Sequence, residues 1–373
     1  MRDVAVAGVG MLPFTRAAAE PAPVSAARVA AAALADAGIC WGDVDLVVGG
    51  TLSADLTATW QAIHELPWTG VAGLTVTNAS ATGSSAFRQA YLAVASGSCD
   101  VAVAVGFGEL DGGLLAAAGS GSRLPELTGA NLPPVVFGLL KARRMHEYGE
   151  PAETAALVAV KNFGNAARNP DAQRQRTVTV DEVMASPVVS DPLRRLECCP
   201  LGTGAAAAVL TADAAHGGVR VAASVAGSDG WHPAAPFAPD PEVTAKVARQ
   251  AYREAGIGPE ALDVVEVHDA FAVEELVYCE ALGLCDAGEA AAWLAAGEFD
   301  IGGRVAVSPS GGLLARGHPG GATGLAQIVE AVRQLRGQAG SRQQPGAQTA
   351  LTHMIGAGGA CVIHVLSADG DDR

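Results

Sequence analysis

Ala30-Ala-Ala-Ala-Leu-Ala-Asp-Ala-Gly-Ile-Cys-Trp-Gly-Asp-Val-Asp-Leu-Val-Val48 and Ala248-Arg-Gln-Ala-Tyr-Arg-Glu-Ala-Gly-Ile-Gly-Pro-Glu-Ala-Leu-Asp-Val-Val-Glu-Val267 are two copies of one pattern. Ala37 matches Ala255 and Asp45 matches Asp263, a constant offset of 218 residues. Each copy reads as an amphipathic helix, a glycine stop and a buried apolar strand. Another apolar run precedes each, Val4 to Val9 and Val219 to Val225, so each half predicts a strand-helix-strand unit of an α/β sheet. A repeat at this spacing predicts a duplicated α/β protein with halves 1–214 and 215–373.

Further strands are predicted at Leu74–Thr77, Val101–Val105, Ala206–Leu210, Arg304–Val307, Ala350–His353 and Ala360–Leu366. Helices are predicted at Ser84–Ala95, Ala272–Ala281 and Gly324–Arg336. Residues 112–134 show no sustained period and open an inserted loop region of about 110–190. Within it Ala152–Ala167 reads as a helix, ended by Asn169-Pro170.

Half of the 373 residues are apolar, enough for one large or two ordinary cores. The net charge of −15 speaks against a nucleic-acid surface, which needs clustered Lys and Arg. Seven cysteines show neither metal-ligand spacing nor a paired framework, which points to a reducing cytoplasm and no metal. No apolar stretch reaches the ~20 residues of a membrane span, and no secretory leader is expected at the N-terminus.

Four segments carry possible chemistry. Asn78-Ala-Ser-Ala-Thr-Gly-Ser-Ser85 follows a strand and opens a helix, which places Ser80 where backbone N–H groups converge. Ser80 reads as a nucleophile or as a plain helix cap. Glu266-Val-His-Asp-Ala-Phe271 ends the second copy's strand, putting His268 at the ligand edge of an open sheet. His268 reads as an acid, a base or an oxyanion donor, and Asp269 as site support or as a helix cap. Val307-Ser-Pro-Ser-Gly-Gly-Leu-Leu-Ala-Arg-Gly-His-Pro-Gly-Gly-Ala-Thr-Gly324 offers His318 in a loop whose glycines admit a close substrate. Leu351-Thr-His-Met-Ile-Gly-Ala-Gly-Gly-Ala-Cys361 joins two strands through a turn, with His353 and Gly356 as candidate support for an oxyanion.

Taken in order, these four segments resemble the active-site motifs of the thiolase superfamily, most closely its sterol-carrier-protein-x and lipid-transfer-protein branch. The likeness runs nearly end to end and includes residues 142–149, Asn165 to Pro170, Asp191-Pro192 and Cys198-Cys-Pro200. It implies a duplicated α-β-α-β-α five-layered fold, a homodimer packed through the N-terminal half, and coenzyme A arriving with the substrate, with no permanently bound cofactor. It also implies that the position of Ser80 normally holds a nucleophilic cysteine assisted by the histidine matching His318. The branch's second cysteine corresponds to Ala270; other thiolases place an acid/base cysteine at Met354; and Thr203 stands where an aspartate is usual.

A serine needs an adjacent base and an oxyanion site to react. The leading expectation is therefore an acyltransferase acting on an acyl-CoA or acyl-carrier thioester through Ser80, with His318 as base and His268 and the Gly356 turn at the oxyanion. A retro-aldol lyase of a β-hydroxyacyl-CoA, working with a small OB-fold partner subunit and using His268 or His353 as base, is the alternative. Its relatives use tyrosines near the last two motifs, and none of Tyr91, Tyr148, Tyr252 and Tyr278 falls in those loops. A non-catalytic subunit of the same fold is the third reading. Arg143, Arg144 and Arg194 are candidate coenzyme A contacts or solvated surface charges.

Overall fold

The structure, a computed structural model, describes residues 2–110, 132–212, 218–228, 241–357 and 359–368. Most of the predicted 112–134 loop lies outside the described residues. The first half runs β1 (Ala5–Met11), α1 (Ala22–Ala37), β2 (Leu46–Gly50), α2 (Ala58–His64), β3 (Ala72–Val76), α3 (Thr82–Ser96) and β4 (Val101–Leu110). Then come α4 (Pro133–Tyr148), α5 (Thr154–Ala166), α6 (Val180–Ala185), a small hairpin of β5 (Val188–Ser190) and β6 (Leu193–Arg194), and β7 (Gly202–Thr211). The second half holds β8 (Val219–Ser228), α7 (Pro241–Ala255), β9 (Val264–Glu266), α8 (Ala272–Ala281), α9 (Ala290–Ala295), β10 (Ala306–Val307), α10 (Thr323–Leu335), β11 (Thr349–Gly356) and β12 (Ala360–Ser367).

The repeat read in the sequence is a repeat in space. Gly38 at φ 66° ends α1 and Gly256 at φ 72° ends α7, both in the left-handed conformation that glycine adopts without a Cβ penalty. Ten strands form one sheet in the order β10-β9-β11-β12-β8-β1-β7-β4-β2-β3. Read outward from the centre, the two halves follow the same order of first, fifth, fourth, second and third strand. They join where β1 and β8 pair antiparallel at Ala5 with Arg220 and Val6 with Val219.

Alternation along the strands sorts the core into layers. Ala206, Ala208 and Leu210 of β7 face α3 and α10, as do Ala102 and Ala104 of β4, while Ala205, Ala207 and Val209 face α1 and α2. On the other half Val219, Val264 and Ala350 face the same two central helices, and Val225, Val265 and Leu351 face α7 and α8. The result is five layers, helices–sheet–helices–sheet–helices. The alanine-rich α1 follows from the tight fit: a Cβ at Gly8 would lie 2.5 Å from the Ala37 backbone nitrogen, so only small side chains suit that helix face.

Two elements differ from the sequence reading. The strand expected over Arg304–Val307 shortens to β10, because the Val305 N–H goes to Glu298 O rather than to a neighbouring strand. Strand β11 runs past His353 to Gly356, which pairs with Ala360, so the glycine-rich turn is a β-hairpin.

Candidate active site

Ser80 lies between β3 and α3. The residue before it, Ala79, adopts φ 46°, an uncommon conformation for a residue with a Cβ. Asn78 braces the bend, its N–H donating to Thr82 Oγ1 (2.7 Å) and its side-chain amide to Ser85 Oγ (2.9 Å). The cap position of α3 is Ala81, with no side-chain cap bond, so Ser80 is not spent as a helix cap. Its half-buried hydroxyl faces His318 Nε2 at 3.1 Å, a hydrogen bond across the two halves of the chain.

What brings His318 there is the backbone of its loop. The turn at Gly320–Ala322 wedges into the first half's sheet, where a Cβ on Gly321 would sit 2.5 Å from Phe107 O and 2.8 Å from Gly50 O. Beyond it, α3 and α10 meet end to end: a Cβ on Gly83 would lie 2.7 Å from Gly321 O and 3.0 Å from Leu325 N. His318 Nδ1 is 2.8 Å from Thr323 Oγ1. With Nδ1–H donating to Thr323, Nε2 is the acceptor for the Ser80 hydroxyl. Burial holds the His318 imidazole well below its usual pKa, with His268 and then Arg316 adding to the effect, so the ring is neutral at pH 7.

The segment carrying His268 anchors that loop from behind. The buried Glu266 carboxylate accepts from Ser310 N (3.0 Å), Ser310 Oγ (2.7 Å) and Arg316 Nη1 (3.2 Å). Asp269 accepts from Leu313 N (2.7 Å) and Asn162 Nδ2 (2.8 Å). Asp269 therefore ties the His318 loop to β9 and α5 and is not a helix cap; α8 starts only after Phe271. Burial raises the pKa of both acids; in Asp269 the neighbouring Glu275 carboxylate adds to the rise, and in Glu266 the Arg316 charge opposes it.

The His268 ring stands edge-on to His318, with centroids 5.5 Å apart and planes at 89°. Its Nδ1 is 3.0 Å from Glu274 Oε1, and its buried Nε2 has no hydrogen-bond partner among the described residues. His353 is placed differently. Its Nε2 meets Thr244 Oγ1 at 2.9 Å, its Nδ1 accepts the His268 N–H at 3.4 Å, and burial pushes its pKa down to about 3. With both nitrogens taken, His353 supports the His268 backbone and is not available as a base. Gly356 allows the hairpin to back onto the Ser80 bend, since a Cβ there would lie 2.7 Å from Asn78 O.

Beside these polar groups Ala81, Ala270, Phe271, Leu313 and Met354 make one apolar cluster, and Phe137 of α4 stacks on Phe271 at 4.4 Å. Cys199 N donates to Ala270 O (2.8 Å), and burial pushes the Cys199 and Cys198 thiols up, the latter to about 12, so neither is a thiolate at neutral pH. Cys361 packs in the outer core against α7 and α8, not in the central layer.

The candidate coenzyme A cations divide. Arg144 is buried and bonded to both Glu150 and Glu280, so it is a structural ion and no nucleotide contact. Arg143 is exposed beside Glu147, and Arg194 donates to Ser186 O. Sequence reading missed Glu274, Thr323 and Asn162. A glutamate three residues into a helix, reaching back to the first backbone N–H, is a recognisable pattern and would have flagged Glu274. Asn162 sits on a remote helix and gives no signal.

Residues 4–214 match the family model "Thiolase, N-terminal domain" and residues 227–368 match "Thiolase C-terminal domain-like". Sterol carrier protein 2 of Homo sapiens is 36% identical over 97% of this chain and 71% of that protein. An acetyl-CoA acetyltransferase of Methanothermobacter thermautotrophicus is 37% identical over 98% of this chain and all of the relative. Among solved structures, one described as "Ltp2-ChsH2(DUF35) aldolase" superimposes with a TM-score of 0.85 at 27% identity, covering 100% of this chain and 99% of that one. Fold, motif order and these likenesses agree: the chain belongs to the thiolase superfamily, with relatives of the sterol-carrier and lipid-transfer kind.

Proposed function

We propose that this chain is an acyltransferase that takes the acyl group of an acyl-CoA or acyl-carrier thioester onto Ser80. The observation that carries the reading is the 3.1 Å contact between Ser80 Oγ and the neutral, buried His318. In the first step the Ser80 proton passes to His318 Nε2 as Oγ bonds to the thioester carbon. The carbon–sulfur bond then breaks, and the departing thiolate takes that proton. In the second step an oxygen or nitrogen acceptor attacks the ester, its proton passing to His268 Nε2 and on to Ser80 Oγ as that oxygen leaves.

A second reading is favoured by the whole-length likeness to the aldolase and by the open acceptor position of His268 Nε2. There His268 takes the proton of a β-hydroxyl, the Cα–Cβ bond breaks with its electron pair passing into the thioester enolate, Cα then takes that proton back from His268, and a small DUF35-type partner completes the enzyme. Tyr278, distant in sequence from the last motifs, packs against His353 with ring centroids 4.6 Å apart and planes tilted by 56°, so a tyrosine does stand behind this site.

Incubation with a panel of acyl-CoA esters, followed by intact mass and peptide mapping, tests the proposal. The expected result is a mass gain within residues 75–90 that Ser80→Ala abolishes. Release of an aldehyde or ketone without an adduct sinks the transferase reading in favour of the lyase. Coenzyme A binding with neither outcome leaves a non-catalytic subunit.

We also propose a homodimer formed along β3. That strand is the sheet's edge and is largely exposed, Leu74 being 38% and the nearby Trp68 82% accessible.

A further inference from the structure

We propose that Glu274 is a positioning residue that fixes which nitrogen of His268 carries the proton, and so makes His268 a proton acceptor toward the substrate. The functional half of this inference rests on the reading of the site given above; the tautomer itself does not.

Three donors converge on the fully buried Glu274 carboxylate. Oε2 accepts from Phe271 N at 2.9 Å, and Oε1 lies 3.0 Å from His268 Nδ1 and 3.3 Å from the Tyr278 hydroxyl. An ionised carboxylate only accepts, so the ring nitrogen facing it must carry hydrogen. In the neutral ring the proton is then on Nδ1, and Nε2 presents a lone pair. That Nε2 is buried and without a partner among the described residues, in a ring whose centroid lies 5.5 Å from that of His318. A buried acceptor left open beside a hydroxyl–imidazole pair is the arrangement expected of a group that waits for a substrate proton. Two other neighbours are consistent with this assignment: His353 Nδ1 meets the His268 backbone N–H, and the Tyr278 hydroxyl donates to the Glu274 carboxylate.

This placement bears on the departures from the family pattern. The resemblance puts an acid/base thiol at position 270, two residues after His268, and this chain has alanine there. A carboxylate-backed imidazole two residues upstream supplies a proton acceptor at the same strand end. Glu274 touches no reacting atom in either reading; it acts through the ring.

The plain alternative is that Glu274 serves only to satisfy the first N–H of α8. Glu274→Gln separates the two roles. The Phe271 N–H needs an acceptor, so the glutamine oxygen must stay with it, which turns the amide NH2 toward His268 Nδ1. Nδ1 must then become the acceptor, and the ring proton moves to Nε2. The helix start is kept and the tautomer is reversed.

The experiment is long-range nitrogen–proton NMR on histidine-labelled protein, with the His268 signals assigned by their loss in His268→Asn. Wild-type protein is expected to show an unprotonated Nε2 and a protonated Nδ1, and Glu274→Gln the reverse. In the same variant, transfer from acyl-Ser80 to the acceptor should slow on the order of 10²-fold, with formation of the acyl-enzyme within about threefold of wild type. A wild-type ring already protonated on Nε2, or a variant with reversed tautomer and unchanged turnover, overturns the proposal. If no Ser80 adduct forms in wild-type protein, the transfer reading fails, while the NMR result still decides the tautomer and the lyase rate decides its use.

Discussion

Gly83→Ala tests whether the contact between the two central helices sets the Ser80–His318 distance, without touching either residue. Gly83 lies three residues after Ser80, and Gly321 three after His318. The new Cβ would stand 2.7 Å from Gly321 O, 3.0 Å from Leu325 N and 3.2 Å from Gly324 N, all backbone atoms that cannot swing aside. Relief to ordinary contact needs a separation of about 0.7 Å. Taken up between the two helix starts, this stretches the 3.1 Å Ser80–His318 bond to about 3.8 Å, beyond hydrogen-bond reach. Gly83 is the second residue of α3, where alanine gains little over glycine, so the cost is that of overpacking, about 1–3 kcal/mol. The acylation rate should nevertheless fall on the order of 10²-fold, the typical penalty for a misplacement of this size. Thermal melting and the rate of coenzyme A release from an acyl-CoA, measured on the same preparations, give both quantities. A variant that folds normally and acylates at the wild-type rate would show that this helix contact does not hold the pair together.

Two further outcomes follow from the structure. His364, buried against Phe87 and bonded to Ser224, has its pKa pushed down to about 3, mainly by burial. Below about pH 6.5 the unfolded chain takes up a proton that the folded state refuses, so this histidine lowers stability as pH falls toward 3. Between pH 7 and 5 wild-type protein should lose about 2 kcal/mol more than His364→Gln in urea unfolding, and parallel losses would contradict the assignment. If β3 is the dimer edge, Leu74→Lys should convert a dimer to a monomer in light scattering; a wild-type monomer, or an unchanged mutant dimer, would remove that proposal.

The duplicated architecture was legible because its signals are local and repeated. A helix pattern, a glycine needing positive φ and a buried strand occur twice at one spacing, and Gly38 and Gly256 do in the structure what their position predicts. Ser80 and His318 could be nominated from their loops, but only the meeting of α3 and α10 puts them together, and that depends on glycines far apart in sequence. Asp269 and His353 illustrate what motif reading cannot resolve. Whether a buried polar residue reacts or braces depends on which of its atoms are already bonded, and those partners, Asn162, Leu313 and Thr244, come from other segments. Strand β10 was overestimated because one carbonyl, Glu298 O, claims an N–H that local sequence would assign to a strand.

The abutting starts of α3 and α10 have a consequence that does not depend on the side chains above them. Both helices begin at that contact, so the positive ends of their dipoles add there and a region of positive potential is built from main chain alone. An oxygen that gains charge there is stabilised before any side chain rearranges. Such a cradle tolerates exchange of the groups that attack or carry protons while still favouring the same distribution of charge on a thioester carbonyl. That is a physical basis for one scaffold serving relatives named for acyl transfer and for aldol chemistry alike.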